Sequence, residues 1–449
     1  MMKMMKMMIG IDTGFRFFSI GHHSVNLWLT TVPVSHFTFV YFIGTIVSMV
    51  TMVPVTRLGS GAAIPSTFPS TCPSVRSKAY VATFPRTQHI EHTHGTLRRH
   101  TYVSTRTFAS SLTSVIEQLC EGKDLTEDQA KATLYDLVQD ANSPEQMAAF
   151  IVLLRAKGET PAEIAGLAKA MDDMSVKVET PYDVLDIVGT GGDGIGSVNI
   201  STGATVVAAA AGARVAKHGS RSVSSLCGSG DVVEAFGVEL ELGPKGIATC
   251  IEEAGIGFMF APTFHPAMKV VRPVRKSLGV RTAFNMLGPL LNPAHAKYAL
   301  IGVYSTDISK LMADAAALMG IEKTLVVHSM GLDELTPMGP ASIYEAYGGA
   351  VKSYEIDPLD LGIPRCDVKD LAGGDATLNA SILKDVFGGE RNAVADALNL
   401  NAGVALAAAN VAADVKEGIR MAQEAQRSGA AGETLRTWVE VSQRAKNLD

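Results

Sequence analysis

The sequence has little cysteine. Its 449 residues contain only five, and no two of them form a Cys-x-x-Cys pair. Such scattered cysteines are typical of reduced thiols in a reducing compartment, rather than of a disulfide framework or a zinc site. The five are Cys72, Cys120, Cys227, Cys250 and Cys366.

An excess of positive charge is also lacking. The formal net charge is −6 at pH 7, whereas proteins that bind nucleic acid usually carry a basic surface. We therefore expect no nucleic-acid partner, although a local basic pocket for phosphates is compatible with this charge. Hydrophobic residues make up 47% of the chain and charged residues 19%, which suits a large buried core. The length suits two domains plus an extension.

Acidic residues are almost absent from the first 110 positions. Only Asp12 and Glu91 occur there, against ten lysines and arginines, and Ser, Thr, Pro and His fill much of the rest. An acid-poor leader rich in Arg, Ser and Thr is typical of an organelle transit peptide. We therefore expect residues 1–108 to be a targeting presequence that is disordered or removed.

One apolar run, residues 37–55, lies inside this leader and is just long enough to cross a bilayer. Three interpretations stay open. The run is the core of a signal sequence ahead of a transit segment, or a membrane anchor, or translated sequence upstream of the real start codon. The first predicts a plastid location and the third a cytoplasmic one. We expect the mature protein not to be embedded in a membrane.

Residues 110–180 have a helical pattern. Apolar residues recur at i, i+3, i+4 and i+7 from Leu112 to Leu119. Three more helices are predicted to begin after Thr126, Ser143 and Thr160, because each is followed three residues later by Gln or Glu, as in a capping box. Four short helices without a strand signal predict a small all-α domain.

Short apolar runs alternate with helical segments from Val184 onward. Strands are predicted in VLDIVG, RVAKHG, GFMFAP, YALIGVY and TLVVHS. This alternation predicts a larger α/β domain with a central, mostly parallel sheet, made of residues 181–265 and 295–449. The basic helical stretch 266–294 interrupts it, and we expect this stretch to pack on the all-α domain, which is then discontinuous. Sheets of this kind bind ligands in the loops at the carboxyl ends of their strands.

A glycine-rich loop, GTGGDG from Gly189 to Gly194, follows the first of these strands. Residues without Cβ let backbone N–H groups close around phosphate oxygens. No Gly-Lys-Ser/Thr follows, so the loop is not a Walker motif. Asp193 would repel a pyrophosphate unless a cation intervened. A tight turn without a ligand is the alternative.

Two further polar segments follow along the chain. The segment NIST, from Asn199 to Thr202, opens a helix, where free N–H groups and the helix dipole attract anions. An ordinary N-cap is the alternative. Residues 217–231 crowd cations, hydroxyls and glycines into one loop region, which suits a polyphosphate or a phosphosugar. A solvated loop is the alternative there.

Two adjacent carboxylates, Asp333 and Glu334, follow the strand TLVVHS. Carboxylates at a strand end can hold Mg²⁺, which keeps several waters and bridges to substrate phosphates. A general acid/base pair is less natural, because adjacent side chains usually point in different directions. A polar loop is again the alternative.

Taken in order, the segments GTGGDG, NIST, KHGxRxVSS, HPAMK, VRKSLGVRTAFNMLGPLLNP and GLDEL resemble the anthranilate phosphoribosyltransferase family. The resemblance runs from about Leu112 to near the C-terminus. It implies a small helical domain and a larger α/β domain of the nucleoside phosphorylase/phosphoribosyltransferase class, in a homodimer. It also implies transfer of the phosphoribosyl group of phosphoribosyl pyrophosphate to the amine of anthranilate, with Mg²⁺, in tryptophan biosynthesis.

The resemblance also implies roles for individual residues, none of them as a nucleophile. Metal binding is implied for Ser201, Asp333 and Glu334, and contact with anthranilate for Gly189, Ser220 and Arg275, with Arg275 pairing with the anthranilate carboxylate. The residues implied to bind phosphoribosyl pyrophosphate are Gly189, Gly192, Asp193, Ser197, Asn199, Ser201, Thr202, Lys217, His218, Gly219, Arg221, Ser224, Ser225 and Ser229.

One position departs from the family's pattern. Ser220 stands where the family usually has an Asn that touches anthranilate, so we expect a weakened or water-mediated contact there. Two other functions would require different features. An enzyme like pyrimidine nucleoside phosphorylase would need neither the paired carboxylates nor Arg275. A non-catalytic relative that binds nucleic acid would need a basic surface.

Overall fold

The computed structural model describes residues 31–34, 37–40, 112–139, 143–222 and 226–448. The chain forms two compact units, Met1–His100 and Thr101–Asp449. In the first, strands β1 (Thr31–Val34) and β2 (Phe37–Val40) pair antiparallel. The rest of the predicted presequence and of the apolar run 37–55 lies outside the described residues. Within the described ranges, no helix has the length and apolar character needed to span a bilayer.

The second unit begins with the four helices that the sequence predicts. In the last of them, the Glu163 N–H donates to the Thr160 hydroxyl (3.3 Å), while the Thr160 N–H donates to the Glu163 carboxylate (2.8 Å). This reciprocal capping box fixes where the helix begins. The helices are α1 (Leu112–Cys120), α2 (Glu127–Gln139), α3 (Pro144–Lys157) and α4 (Pro161–Asp173).

A seven-stranded sheet forms the centre of the unit, in the order β5-β4-β3-β6-β7-β8-β9. The five strands from β5 to β7 are parallel, and the last two are antiparallel. The predicted mostly parallel α/β fold is therefore confirmed. The strands are β3 (Leu185–Gly189), β4 (Val215–Gly219), β5 (Ile256–Phe260), β6 (Tyr298–Gly302), β7 (Lys323–Ser329), β8 (Ala341–Tyr347) and β9 (Ala350–Ile356).

The antiparallel hairpin of β8 and β9 is not predicted from the sequence. Its two-residue turn consists of Gly348 and Gly349, with φ of 58° and 79°. Turns with positive φ at both central residues match the twist of paired strands, and Gly-Gly is a usual choice there. This dipeptide between two alternating apolar stretches was the signal that could have revealed the hairpin.

The remaining helices cover the sheet and connect its strands. Residues of α1–α4, of α9 and of the segment 283–291 share one core with Val188, Ile301 and Val326 of the sheet, and α9 packs against α3. The helices are α5 (Ile200–Ala210), α6 (Ser229–Phe236), α7 (Pro244–Ala254), α8 (Ala261–Phe264), α9 (Met268–Leu278), α10 (Phe284–Leu287), α11 (Ser309–Met319), α12 (Ala376–Phe387), α13 (Ala393–Ala408), α14 (Val415–Arg427) and α15 (Ala430–Ala445).

The strand order reverses between β3 and β6. From β3 the chain passes through α5 to β4 on one side, and from β6 it passes through α11 to β7 on the other. The loops after these two neighbouring strands therefore diverge and leave a crevice at their carboxyl ends. Open α/β sheets bind their ligands at such a reversal point.

Candidate active site

Asp333 occupies the crevice between β3 and β6. The Gly191 N–H donates to the Asp333 carboxylate at 2.6 Å. A Cβ atom at Gly189 would lie 2.5 Å from that carboxylate, and one at Gly302 would overlap the Asp333 carbonyl oxygen. Both strands must therefore end in glycine for the carboxylate to reach the glycine-rich loop.

The glycine-rich loop is held from outside by Arg281. The Arg281 guanidinium donates to the Gly192 carbonyl and lies 4.0 Å above the Tyr304 ring. The Tyr304 N–H in turn donates to the Thr190 hydroxyl at 3.2 Å. No role for Arg281 or Tyr304 is predicted from the sequence. Positive φ, which favours glycine, occurs at Gly191, Gly192, Gly194 and Gly196.

The end of this loop is hydrogen-bonded to a distant segment, residues 371–374. The Val198 N–H donates to the Leu371 carbonyl, and the Gly373 N–H donates to the Gly196 carbonyl, both at 2.9 Å. Ser197 pairs with Ala372 in an isolated β-bridge. The loop is therefore held by chain that follows it by more than 170 residues.

Asn199 stands at the N-cap of α5, yet its side chain makes no capping hydrogen bond. The Asn199 amide donates to the Cys227 carbonyl at 3.3 Å and accepts from the Asn379 amide at 2.8 Å. The Asn199 side chain therefore does not cap α5, and anion binding at this helix start stays a prediction. At the first turn of α5, the Ser201 N–H binds Glu334, and the buried Thr202 hydroxyl has no partner among the described residues.

Lys217, on β4, is a buried cation that is 1% exposed. Its ammonium donates to the Ile187 carbonyl at 2.5 Å and to the Ser201 hydroxyl at 3.5 Å. Burial lowers the pKa of Lys217, and the negative charges of Asp186, Glu334 and Asp333 oppose this change. The lysine lies beside the carboxylates on the inner side of the crevice.

Three carboxylates, those of Asp186, Asp333 and Glu334, act on the charge of this lysine. Burial, with the charge of Asp193 beside it, raises the pKa of Asp333 to about 6. Burial and the charge of Asp333 raise the pKa of Glu334 well above its usual value, and Lys217 opposes this rise. Carboxylates that are crowded together in a buried site repel one another, and a bound cation would stabilise their charged forms. The described residues contain no group of three or more metal-binding side chains that would hold an ion alone. The donor set therefore fits Mg²⁺, which takes one or two carboxylates and completes its shell with water and phosphate.

His218 is held neutral behind the crevice. Its Nδ1 donates to the Gly288 carbonyl at 3.1 Å, and its ring meets the His265 ring edge-on at 4.9 Å. Nε2 is buried without a partner among the described residues. Burial and the neighbouring His265 lower the pKa of His218 to about 3.

The loop between β4 and α6 closes on Asp231. The Ser222 and Gly228 N–H groups donate to its carboxylate at 3.0 Å and 2.8 Å. Arg221 forms ion pairs with Asp231 and Glu234 at 3.2 Å and 2.7 Å. Arg221 therefore already has two acidic partners in this arrangement.

Several smaller site residues belong to the same loop. The Ser229 hydroxyl donates to the Ser220 carbonyl at 3.2 Å, and a Cβ atom at Gly219 would overlap the Ser229 hydroxyl. The Ser220 side chain is exposed. Ser224 and Ser225 lie outside the described residues, so their predicted contacts stay predictions.

Arg275 lies on α9 and is half-buried. Its guanidinium carbon is 5.7 Å from the centre of the Phe284 ring, and burial lowers its pKa. No carboxylate pairs with it within the described ranges. A partly desolvated guanidinium without an acidic partner is suited to a carboxylate ligand, which it can bind through two hydrogen bonds.

Comparison with known proteins identifies the family. The model of the α/β domain of the glycosyl transferase family matches residues 181–432, and that of its helical bundle domain matches residues 113–175. The chain is 47% identical to anthranilate phosphoribosyltransferase of Rubrobacter xylanophilus over 335 residues, 74% of this chain and 98% of the relative. It belongs to the anthranilate phosphoribosyltransferase family.

Solved structures of anthranilate phosphoribosyltransferases have the same fold. The Thermus thermophilus structure is 41% identical with a TM-score of 0.70, over 73% of this chain and 99% of that one. The Saccharomyces cerevisiae structure in complex with PRPP and Mg is 29% identical with a TM-score of 0.68, over 74% of this chain and 98% of that one. The predicted family, fold class and type of enzyme are confirmed.

In the anthranilate phosphoribosyltransferase fold, five of the predicted site residues meet at the crevice. Gly189, Ser201, Lys217, Asp333 and Glu334 interact directly or through one neighbour. The residues that hold them have no role predicted from the sequence, because their contacts depend on which elements become neighbours in the fold. They are Asp186, Arg281, Asn292, Tyr304, Asn379 and Asn401.

Proposed function

We propose that this chain transfers the 5-phosphoribosyl group of phosphoribosyl pyrophosphate to the amine of anthranilate, giving N-(5'-phosphoribosyl)anthranilate and pyrophosphate in tryptophan biosynthesis. The observation that carries this is the placing of Asp333 against the glycine-rich loop and of Glu334 against the first turn of α5, at the point where the strand order reverses. Family membership and the yeast relative in complex with PRPP and Mg support it.

The phosphates of the substrate bind the loops around the crevice in this proposal. Backbone N–H groups of the loop from Gly189 to Gly194, the first turn of α5 and the buried Lys217 provide the donors and the positive charge. Ser197, Asn199, Thr202 and the loop from His218 to Ser229 complete this half of the site. Mg²⁺, held by Asp333 and Glu334 with the Ser201 hydroxyl nearby, neutralises the pyrophosphate when bound.

Anthranilate binds on the other side of the ribose. Arg275 pairs with its carboxylate, and Gly189 and Ser220 lie along its ring. The absence of an acidic partner for Arg275 among the described residues supports this assignment. Ser220 is shorter than the Asn of the family's pattern, so its contact with anthranilate passes through water.

The reaction needs no protein nucleophile. The C1–O bond of the ribose breaks, pyrophosphate leaves with the bonding electrons, and the anthranilate nitrogen forms the new C1–N bond and then releases a proton. The fixed loops hold the two reactants in line, and the donors around the crevice stabilise the negative charge on the leaving group. Positioning and electrostatic stabilisation can supply most of the reduction of such a barrier.

The finer organisation is proposed from the sequence. We assign residues 110–180 with 266–294 to the helical domain and residues 181–265 with 295–449 to the domain that binds phosphoribosyl pyrophosphate. The two substrates are the partners, and the protein is a homodimer. Residues 1–108 direct it to the plastid, or the protein is cytoplasmic if translation starts later. A fluorescent fusion of residues 1–108 and sedimentation of the purified protein test these points.

The decisive assay follows the loss of anthranilate fluorescence with phosphoribosyl pyrophosphate and Mg²⁺. Consumption is expected with all three components and not without any one of them. The double substitution Asp333→Asn with Glu334→Gln should cut kcat strongly and change the Mg²⁺ dependence. Near-normal turnover in that variant would refute the metal assignment. No consumption by the wild type would refute the proposed function.

A further inference from the structure

One side chain of the large domain binds the backbone of the acidic turn, residues 329–335, which carries Asp333 and Glu334. Asn401, on α13, accepts a hydrogen bond from the Leu335 N–H at 3.1 Å and donates one to the Leu335 carbonyl at 2.7 Å. Its amide also donates to the Ala397 carbonyl at 2.8 Å within the same helix. A carboxamide offers an acceptor oxygen and two N–H donors. Asn401 uses the oxygen and both donors here.

Leu335 follows Glu334 directly, so these hydrogen bonds act on the neighbouring pair of proposed metal ligands, Asp333 and Glu334. Leu335 is 0% exposed and Asn401 is 2% exposed, so water does not compete for these bonds. Removing the side chain would leave a buried N–H and C=O group unsatisfied. The helix that carries Asn401 is buried along most of its length, which makes it a rigid support.

The other side of the acidic pair is also fixed. Ser329 and Leu332 exchange backbone hydrogen bonds at 2.9 Å and 3.2 Å, which closes the turn ahead of Asp333. Asp333 itself lies against Gly302. The two carboxylates are therefore held between a turn fixed locally and Leu335, whose N–H and C=O groups are bound by Asn401, 66 positions away.

We propose that Asn401 is a positioning residue that sets the affinity of the site for Mg²⁺ together with phosphoribosyl pyrophosphate. The proposal rests on the proposed function. Asn401 touches neither substrate in it and acts through the Leu335 peptide groups. Residues that orient metal ligands usually change metal affinity or activity by about 10- to 100-fold when they are replaced.

Asn399 supplies a matched control. It has the same residue type, the same helix and the same 2% exposure, but its carboxamide oxygen has no hydrogen-bond partner among the described residues. Asn401→Leu and Asn399→Leu each replace a carboxamide with a branched apolar side chain that has the same number of non-hydrogen atoms. Only the first removes bonds to the acidic turn.

The first readout is hydrogen exchange of the Leu335 amide in the metal-free full chain. We expect strong protection in the wild type and in Asn399→Leu, and exchange faster by about tenfold or more in Asn401→Leu, because opening no longer breaks the bond to Asn401. An unprotected Leu335 amide in the wild type would overturn the proposal, and this measurement needs no variant.

The second readout is calorimetric binding of phosphoribosyl pyrophosphate over a range of Mg²⁺ concentrations. We expect Asn401→Leu to raise the apparent Kd by about tenfold or more at low Mg²⁺, with recovery at high Mg²⁺. Equal weakening in Asn399→Leu, or unchanged binding in Asn401→Leu, would overturn it. If Asn401→Leu does not fold, Asn401→Ser takes its place, because it leaves room for water.

Neither readout requires turnover. A wild type that binds phosphoribosyl pyrophosphate with Mg²⁺ but does not consume anthranilate would refute the proposed function alone. Normal turnover with an Asn401 variant whose metal dependence is unchanged would refute the positioning role alone.

Discussion

The Asp186 carboxylate accepts a hydrogen bond from the Asn292 side-chain amide at 2.7 Å. The same amide donates to the Ala216 carbonyl at 2.8 Å, and the other oxygen of Asp186 accepts from the His218 N–H at 3.2 Å. The phosphate side of the crevice, on β3 and β4, is thereby joined to the segment that follows α10. Burial raises the pKa of Asp186 to about 6, although Lys217 opposes this.

Replacing Asn292 with Asp should destabilise the protein strongly. The substitution places a second carboxyl group against buried Asp186, so we expect the free energy of unfolding to fall by about 3–5 kcal/mol. When a carboxyl group has a higher pKa in the folded state than in the unfolded state, the free energy of unfolding falls as the pH rises through that folded-state pKa. The deficit should therefore be greater at about pH 8 than at about pH 5. Urea unfolding at both values checks this. Asn292→Ala is the control, with a smaller loss of about 1–3 kcal/mol. Equal deficits at the two pH values would contradict the explanation.

Gly302→Ala should remove activity by displacing Asp333. The new methyl group would overlap the Asp333 carbonyl oxygen, and a shift of about 1 Å in a catalytic constellation can cost about 100-fold in rate. We expect a loss of that order in kcat/KM for phosphoribosyl pyrophosphate. Gly432→Ala is the control, because its Cβ atom would only make ordinary contacts with Phe387. Gly302→Ala with the kinetics of the wild type would show that the turn can move without consequence.

The sequence predicted those parts of the fold and site that depend on local pattern. Capping residues such as Thr160 and strand ends such as Gly189 signal themselves within a few positions, because hydrogen bonding in a helix turn and steric freedom are local. Asp333 could be proposed because a carboxylate pair after a strand has recognisable chemistry. Its contact with Gly302 could not, because it depends on which strands become neighbours in the sheet.

The supports of the site escaped prediction for the same reason. Asn401 looks like one polar residue in an alanine-rich helix, and only the packing of α13 under the acidic turn brings it to Leu335. Arg281 was one of several cations in a basic stretch, and the sequence did not distinguish it from exposed Arg272. A single hydrogen bond between residues far apart in the sequence leaves no periodic pattern that could reveal it.

Arg275→Gln should weaken the binding of anthranilate alone. The substitution keeps a polar side chain but removes the charge and the two-pronged donor, so we expect the KM for anthranilate to rise by about 10- to 100-fold, as for loss of a charge-assisted hydrogen bond of about 1.5–3 kcal/mol. The KM for phosphoribosyl pyrophosphate should stay within about twofold of the wild type, because no phosphate group contacts Arg275 in the proposal. Arg272→Gln, exposed on the same helix, is the control. A rise in both KM values would place Arg275 in a structural role instead.

His218 and His265 should make the folded protein sensitive to acid. Burial lowers the pKa of His218 to about 3 and that of His265 to about 4, from 6.5. Below about pH 6.5 the unfolded chain gains protons that the folded chain does not, so each histidine lowers the free energy of unfolding by about 1.4 kcal/mol per pH unit. This stops near pH 4 for His265 and near pH 3 for His218.

His265→Gln isolates one of these contributions. The Gln amide can replace Nε2 as donor to the Leu291 carbonyl, a hydrogen bond of 3.0 Å in the wild type, while it carries no titratable group. Urea unfolding between about pH 4.5 and 7 should therefore show a slope with pH that is smaller than that of the wild type by about 1.4 kcal/mol per unit. The difference should vanish above about pH 7, where both the folded and the unfolded chain hold the histidine neutral. Parallel profiles for the two proteins would mean that His265 titrates in the folded chain as it does in the unfolded one, and that the ring pair with His218 opens to water.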